Sequence, residues 1–372
     1  GAGDECDPEP IAERIMEAFS KPFSLLNDIN VDLECTIGIS LYPNDAENVN
    51  DLLIASDLAL YRAKQAGKNQ FLLFDRSMRE EFQNKVELAR RVKSALELGE
   101  FEMFYQPQIE MRTGRVLGIE ALLRWRDPER GLRMPTEFIE VIEHSDGAQQ
   151  LGTFVLDRAI SDAAEWHRQG INFGRLGINI TAAQLRDTNF IDHFLSRLLT
   201  HGLPPEKTAV EILESTVLSS QNRRLRALFD ELNDLDISVE FDDFGTGYAS
   251  LMHLRQLPVN RVKIDREFVL DLPNNDNHEN IVHGVINFVT KLGLELVAEG
   301  VETVEQAQLL SSWGCECAQG YLFARPAAVE DVTAYLKLAD YKRSLEHVAR
   351  AQAGGTEDLV IPMAAGAGAD PS

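Results

Sequence analysis

Val31, Leu33, Cys35, Ile37, Ile39 and Leu41 alternate with intervening positions at a period of two, which predicts one half-buried strand that Pro43 stops. Helical spacing precedes it over Ile11 to Phe19. A second helix follows, with Asn50 as its N-cap, Leu53, Leu60 and Ala63 as its buried stripe, and Gly67 at a left-handed C-cap. Phe71-Leu72-Leu73-Phe74 then reads as a short buried strand. Met78, Phe82, Val86, Ala89, Val92 and Leu96 recur every three or four residues on a charged helix, a connector or interaction helix. From Phe101 the texture changes to strand-length apolar runs mostly separated by helix-length segments: 101–110, 116–125, 173–181, 208–214, 237–244, 261–266, 295–301 and 315–323. Eight strands so arranged predict an α/β fold, a (β/α)8 TIM-like barrel. A terminal helix carrying Val332, Leu336, Leu345 and Val348 follows Pro326, and the Gly/Ala-rich Ala351 to Ser372 is expected to be disordered.

The polar residues within these runs bear on function. Glu120 lies in the second strand, Asn179 ends the third, Glu211 lies in the fourth, Asp242 and Asp243 end the fifth, Lys263 lies in the sixth, Glu299 in the seventh and Gln319 in the eighth. Barrel sites form at the C-terminal ends of the strands, so these side chains are expected to converge on one pocket. Asp242 and Asp243 close the alternating run Ile237, Val239, Phe241 and precede Phe244-Gly245-Thr246-Gly247. Adjacent acids where pleating breaks down can reach one hard cation or two neighbouring ones, and an oxygen-only donor set suits Mg2+ or Mn2+. Glu240 faces the same side as Asp242 and needs a cation inside the barrel, such as Lys263. Glu211 and Glu214, three apart, point to opposite sides of a continuous strand. With Glu211 facing the pocket, Glu214 either faces outward or lies past the strand's end. Ser215-Thr216 favours the latter, from where Glu214 could accept backbone amides of the loop 244–248.

Composition narrows the partners. A formal charge of −24 over 372 residues argues against docking on duplex nucleic acid or an anionic membrane, so an anionic ligand needs local cations or metal. The four cysteines lack zinc-ribbon spacing, and Cys315 and Cys317 read as buried thiols, which fits a reducing cytosol. No apolar run approaches the ~18 residues of a membrane span and no signal peptide is visible, so no membrane contact is expected of this chain, a membrane anchor elsewhere in a longer protein being left open. The eight histidines are scattered, which disfavours histidine ligation.

From about Phe82 to Leu338 the motifs, in order, resemble those of EAL-domain cyclic di-GMP phosphodiesterases. Glu120-Ala121-Leu122-Leu123-Arg124-Trp125, Asn179-Ile180-Thr181, Glu211-Ile212-Leu213-Glu214, Asp242 to Tyr248, Lys263-Ile264-Asp265, Glu299-Gly300-Val301-Glu302 and Gln319-Gly320-Tyr321 through Pro326 carry it. The resemblance implies that Glu120, Asn179, Glu211 and Asp242 hold one metal, with Asp242 bridging to a second near Asp243 and Glu299. It assigns catalytic roles to Lys263, Glu299 and Glu214, and substrate contacts to Arg124, Gln319, Gln106, Leu123 and Pro326. The implied reaction converts cyclic di-GMP to linear pGpG with two Mg2+ or Mn2+ ions per site, Ca2+ being inhibitory, in a homodimer formed through the EAL domain. Thr181 and Ala249 depart from the family's usual serines, away from the metal ligands. Upstream, the stretch from Thr36 to Asp75 resembles the closing half of a GGDEF (diguanylate cyclase) domain, without that family's signature, and no synthesis of cyclic di-GMP from GTP is expected. The expected organisation is residues 1–10 as a disordered end or tag, 11–76 as the GGDEF-like fragment, 77–99 as a connecting helix, 100–338 as the barrel, and 339–372 as terminal helix and tail. Two other readings are a silent cyclic di-GMP receptor, which would be expected to lack a carboxylate of the set, and an enolase-like lyase, which leaves the Asp242 to Gly247 run beside Lys263 unexplained.

Overall fold

The computed structural model describes residues 7–25, 29–142, 147–214, 216, 222–245, 254 and 257–340. The expected tail, Leu345, Val348, Ala249 and the loop after Gly245 lie outside them. Contacts divide the chain into two compact units, Gly1–Val92 and Lys93–Ser372, the division falling inside helix α3 (Arg76–Leu98).

The first unit holds α1 (Glu9–Phe19), an antiparallel pair β1 (Phe23–Leu25) and β2 (Ile29–Val31), and a parallel pair β3 (Ile37–Ile39) and β4 (Phe71–Leu73) joined through α2 (Val49–Gln65). The single strand expected over 31–41 is therefore two strands in different sheets: Val31 pairs with Phe23, whereas Ile37 pairs with Phe71. Alternation continued through both, so periodicity alone could not show the break. The N-cap of α2 is Asn48, whose Oδ1 accepts from the Asp51 amide at 2.9 Å, and not Asn50. Its buried stripe is Ala55, Leu58, Ala59 and Ala63, while Leu53 is exposed. Small residues are needed there because β3 comes close: a Cβ on Gly38 would lie 2.1 Å from the Ser56 carbonyl oxygen.

In the second unit eight strands close a barrel in the order β5 (Phe101–Glu110), β6 (Val116–Asp127), β8 (Arg175–Asn179), β9 (Thr208–Leu213), β10 (Ser238–Phe244), β11 (Arg261–Ile264), β12 (Glu295–Ala298), β13 (Cys317–Ala318) and back to β5. Two short strands extend it, β7 (Gly131–Arg133) on β6 and β14 (Ala327–Ala328) on β5. β5 runs antiparallel to both barrel neighbours, and the pairs from β6 round to β13 are parallel. The cause is the connection. Residues 111–115 form a tight turn, closed by the Glu110 amide donating to the Arg115 carbonyl at 2.8 Å, with Gly114 at φ +69°. A parallel return needs a crossover of a dozen or more residues.

Along β6, Gly118, Glu120, Leu122 and Arg124 face the interior, while Ile119, Ala121, Leu123 and Trp125 are buried on the other face. Aromatic clusters seal the strand–helix layer: Trp125 packs edge-on to Phe138 at 5.7 Å, Tyr105 on Trp166 at 5.0 Å, and Phe229 on Phe241 at 6.3 Å. Val332 and Leu336 of the terminal helix 329–340 are buried, as expected. Among the described residues no helix is long and apolar enough to cross a membrane.

Phe229 sits on the helix Asn222–Asp234, has no exposure, and backs the strand that ends in the paired aspartates. Phe229→Ala is expected to destabilise the barrel unit by about 3–5 kcal/mol. All three tryptophans lie in that unit, so denaturant unfolding followed by their fluorescence measures it.

Candidate active site

The site begins with a defect in pairing. Glu240 pairs with Arg261 and Phe241 with Val262, but the next partners are Phe244 and Ile264, so three steps along β10 match two along β11. The surplus residue is accommodated at the paired aspartates, where Asp243 takes a left-handed conformation at φ +53°, one that Asp tolerates better than most residues. The bulge lets neighbouring side chains serve one place. Glu120, Glu211 and Asp242 offer carboxylate oxygens within 4.8 Å of one another, and so do Asp242, Asp243 and Glu299. Asp242 belongs to both groups.

Lys263 has no exposure, and its Nζ lies 2.7 Å from Glu299, 2.9 Å from Asp242, 3.0 Å from Glu211 and 3.5 Å from Glu120. Burial alone would lower its pKa, but Asp242, Glu120, Glu211 and Glu299 together raise it well above the usual lysine value. It is held as ammonium. Burial pushes the Glu211 carboxyl well up, against Lys263 and with the help of neighbouring acids. Asp243 is raised to about 7, first by burial, then by Asp242 and a hydrogen bond with Asp265. Five carboxylates against one ammonium leave a surplus that two divalent cations would balance.

Further observations fit a metal. Glu211 Oε1 is buried and, among the described residues, has no hydrogen-bond partner. It rests on Gly177, where a Cβ would lie 2.0 Å away, so only glycine leaves room for that oxygen. All the donors are hard oxygens, suited to Mg2+ or Mn2+. Asn179 Nδ2 donates to Glu120 at 3.1 Å and Glu211 at 3.4 Å; as a ligand its amide would turn over to present Oδ1.

Around this cluster Gln319 Nε2 donates to Glu120 and, at 2.9 Å, to Gln106 Oε1; Gln106 in turn donates to the Ala324 carbonyl at 2.9 Å. Arg124 lies two pleats beyond Glu120, buried, its guanidinium 5.6 Å above the Phe104 ring and donating to the Leu123 carbonyl at 2.8 Å. The Leu123 side chain faces away from the cluster, and Pro326 sits half-buried just before β14. Glu214 is buried just past the end of β9, and the Gly245 amide donates to its Oε2 at 2.8 Å. Glu240 pairs with Arg261 at 3.3 Å, a cation one pleat below Lys263, rather than with Lys263 itself. Gly177 was overlooked among the candidate residues, although a lone glycine inside a strand pattern signals close approach. Cys315 and Cys317 are buried free thiols.

The chain thus forms an α/β barrel whose mouth gathers carboxylates able to hold divalent cations. It belongs to the EAL domain family: the EAL domain matches residues 89–326, and the diguanylate cyclase GGDEF domain matches residues 4–70. The bifunctional diguanylate cyclase/cyclic di-GMP phosphodiesterase MucR of Pseudomonas aeruginosa is 33% identical over 333 residues, 90% of this chain and 48% of its own length. The cyclic di-GMP phosphodiesterase NbdA of the same organism is 33% identical over 88% of this chain and 42% of its own. The chain spans about half the length of the curated relatives it matches. Among solved structures, a PaMucR phosphodiesterase in complex with c-di-GMP is 34% identical with a TM-score of 0.63, covering 66% of this chain and 99% of that one. The EAL domain of Mycobacterium smegmatis DcpA is 33% identical with a TM-score of 0.56, covering 65% and 97%.

Two outcomes follow from this geometry. Below pH 7 a cation must displace the Asp243 proton, and above it that carboxylate is already ionised, so Mn2+ affinity is expected to strengthen as pH rises through about 7. Calorimetric titration across pH 5.5–8.5 measures it, ~7 being the midpoint carried by Asp243. Glu211→Gln is expected to weaken Mn2+ binding by about 10- to 100-fold, whereas Glu214→Gln leaves it within about twofold and lowers turnover instead. Titration and turnover on both variants check the contrast.

Proposed function

We propose that this chain hydrolyses cyclic di-GMP to linear pGpG, dependent on Mg2+ or Mn2+. The observation that carries the reading is Asp242, shared by two carboxylate groups around a buried lysine, in a chain that belongs to the EAL family. Glu120, Asn179, Glu211 and Asp242 would hold one cation, and Asp242, Asp243 and Glu299 the other. Two such cations supply charge neutralisation for a phosphodiester and a bound water of lowered pKa.

The protein's own groups do the rest. Lys263, kept as ammonium by its carboxylates, orients the attacking water and offsets negative charge building on the diester. Arg124, four residues beyond Glu120 on the interior face, offers a charge-assisted fork to a phosphate that the acidic surface would otherwise repel. Gln106 and Gln319 fix Glu120 from the side. Glu214 ties down the start of the loop after Asp243 through the Gly245 amide. Leu123 and Pro326 would be substrate contacts by the family resemblance alone, Leu123 through its backbone; Pro326 immediately precedes β14, which pairs with β5. A homodimer through the barrel unit, resting on the family resemblance, and a cytosolic setting, resting on the unpaired buried thiols Cys315 and Cys317, complete the proposal. The carboxylate set is complete, which favours an enzyme over a silent receptor.

Asp242→Asn removes the charge both cations need and is expected to lower kcat by about 100- to 1000-fold with the fold retained. Turnover is expected to vanish in excess EDTA, and Ca2+ to support binding without efficient turnover because it accepts looser, higher coordination. Chromatographic separation of cyclic di-GMP from pGpG measures all three. Undiminished hydrolysis in EDTA would overturn the reading.

A further inference from the structure

Beneath the carboxylate cluster, one pleat toward the N-terminal ends of the strands, lies a second buried ionic layer that the reaction does not use. Arg261 is 3% exposed and Glu240 1%. The Arg261 guanidinium meets Glu240 at 3.3 Å, donates to Glu295 Oε2 at 2.6 and 2.9 Å, and donates to Gln108 Oε1 at 2.9 Å. Room for Gln108 comes from Gly118, where a Cβ would lie 2.6 Å from its Oε1. Arg175 reaches Glu295 too, and Ser238 at 3.2 Å. Glu295 is exposed at the rim, but the Arg261–Glu240 pair is buried; burying such a pair is costly, and replacing it with apolar groups is often neutral or stabilising, so stability alone is a poor account of it.

Register is a better one. On β11, Arg261 and Lys263 face the interior while Val262 and Ile264 face outward; on β10, Ser238, Glu240 and Asp242 face inward, with Val239 and Phe241 outward. Sliding β11 by two residues along β10 would keep every apolar side chain outside and bring Arg261 to the height of Lys263. Hydrophobic pattern therefore does not distinguish the two pairings. Glu240 opposite Arg261, with Glu295 opposite it on β12, does.

We propose that Arg261, gripped by Glu240, Glu295 and Gln108, is a positioning residue that fixes the pairing of β10 with β11 and so sets Lys263 and Asp242 at the site. This rests on the proposed function, in which those two side chains act. The grip sits one residue pair before the bulge, so pairing is fixed just where the strand is about to depart from it.

Two variants of the full chain test it, with Mn2+ titration by electron paramagnetic resonance, cyclic di-GMP turnover and thermal melting as readouts. Arg261→Lys keeps the charge and the fold but loses the fork. It is expected to lower kcat about tenfold with KM within about twofold, and to weaken Mn2+ binding several-fold. Glu240→Gln with Arg261→Met removes both charges together; it is expected to melt within a few degrees of wild type yet show at least the same loss of kcat and Mn2+ affinity. Wild-type kcat and Mn2+ affinity in a folded Arg261→Lys protein would overturn the proposal, whether or not the double variant folds. A wild-type chain that binds Mn2+ but does not cleave cyclic di-GMP would overturn the proposed function instead, and the Mn2+ comparison alone would then decide the positioning role.

Discussion

One ammonium group among four carboxylates is the constraint on which the barrel's mouth depends. At contact distances inside a protein such charges interact far more strongly than in water, so the acids can be gathered from β6, β9, β10 and the end of β12 only because Lys263 stands between them. The balance is incomplete: five carboxylates face one ammonium, and burial first, neighbouring acids second, raises the carboxyls of Glu211 and Asp243. A protein that left this imbalance unanswered would hold a costly group of like charges. Cations entering the cluster would relieve it, which would couple ion binding to the cohesion of the barrel.

The bulge in β10 and the reversal of β5 shape that mouth. The bulge turns two consecutive aspartates to one purpose, which regular pleating forbids. The reversed strand contributes Gln106 opposite Glu120, closing a wall with Gln319.

Much of this was legible beforehand. The eight runs could be read because buried strands are apolar and are mostly separated by helix-length segments, and Asp242-Asp243 before a glycine-bearing stretch marks the end of pleating. The location of Glu214 beyond β9 followed from a parity argument about residues three apart. What could not be read depends on partners distant in sequence. The alternation over 31–41 gives no sign that its halves join different sheets. The partner of Glu240 could not be chosen between Arg261 and Lys263, since both share a face of one strand and only their height separates them. Asn48 and Asn50 are the same capping residue type, and the start is marked by Asn48, whose side chain accepts from the Asp51 amide. The direction of β5 was hidden in a five-residue connection.

That reversed strand also sets an order of assembly. β5 forms a hairpin with β6 as soon as about 30 residues of the barrel exist, since local pairing costs little loop entropy. Its other neighbour, β13, begins at Cys317, so the opposite edge of β5 waits for nearly the whole unit to be synthesised before it is covered. During that interval the nascent sheet carries an open edge beside apolar strands, the kind of surface that associates with other chains. The ring cannot close until β13 has been made, so the edge of β5 that the finished barrel hides is the last of the sheet to find its partner.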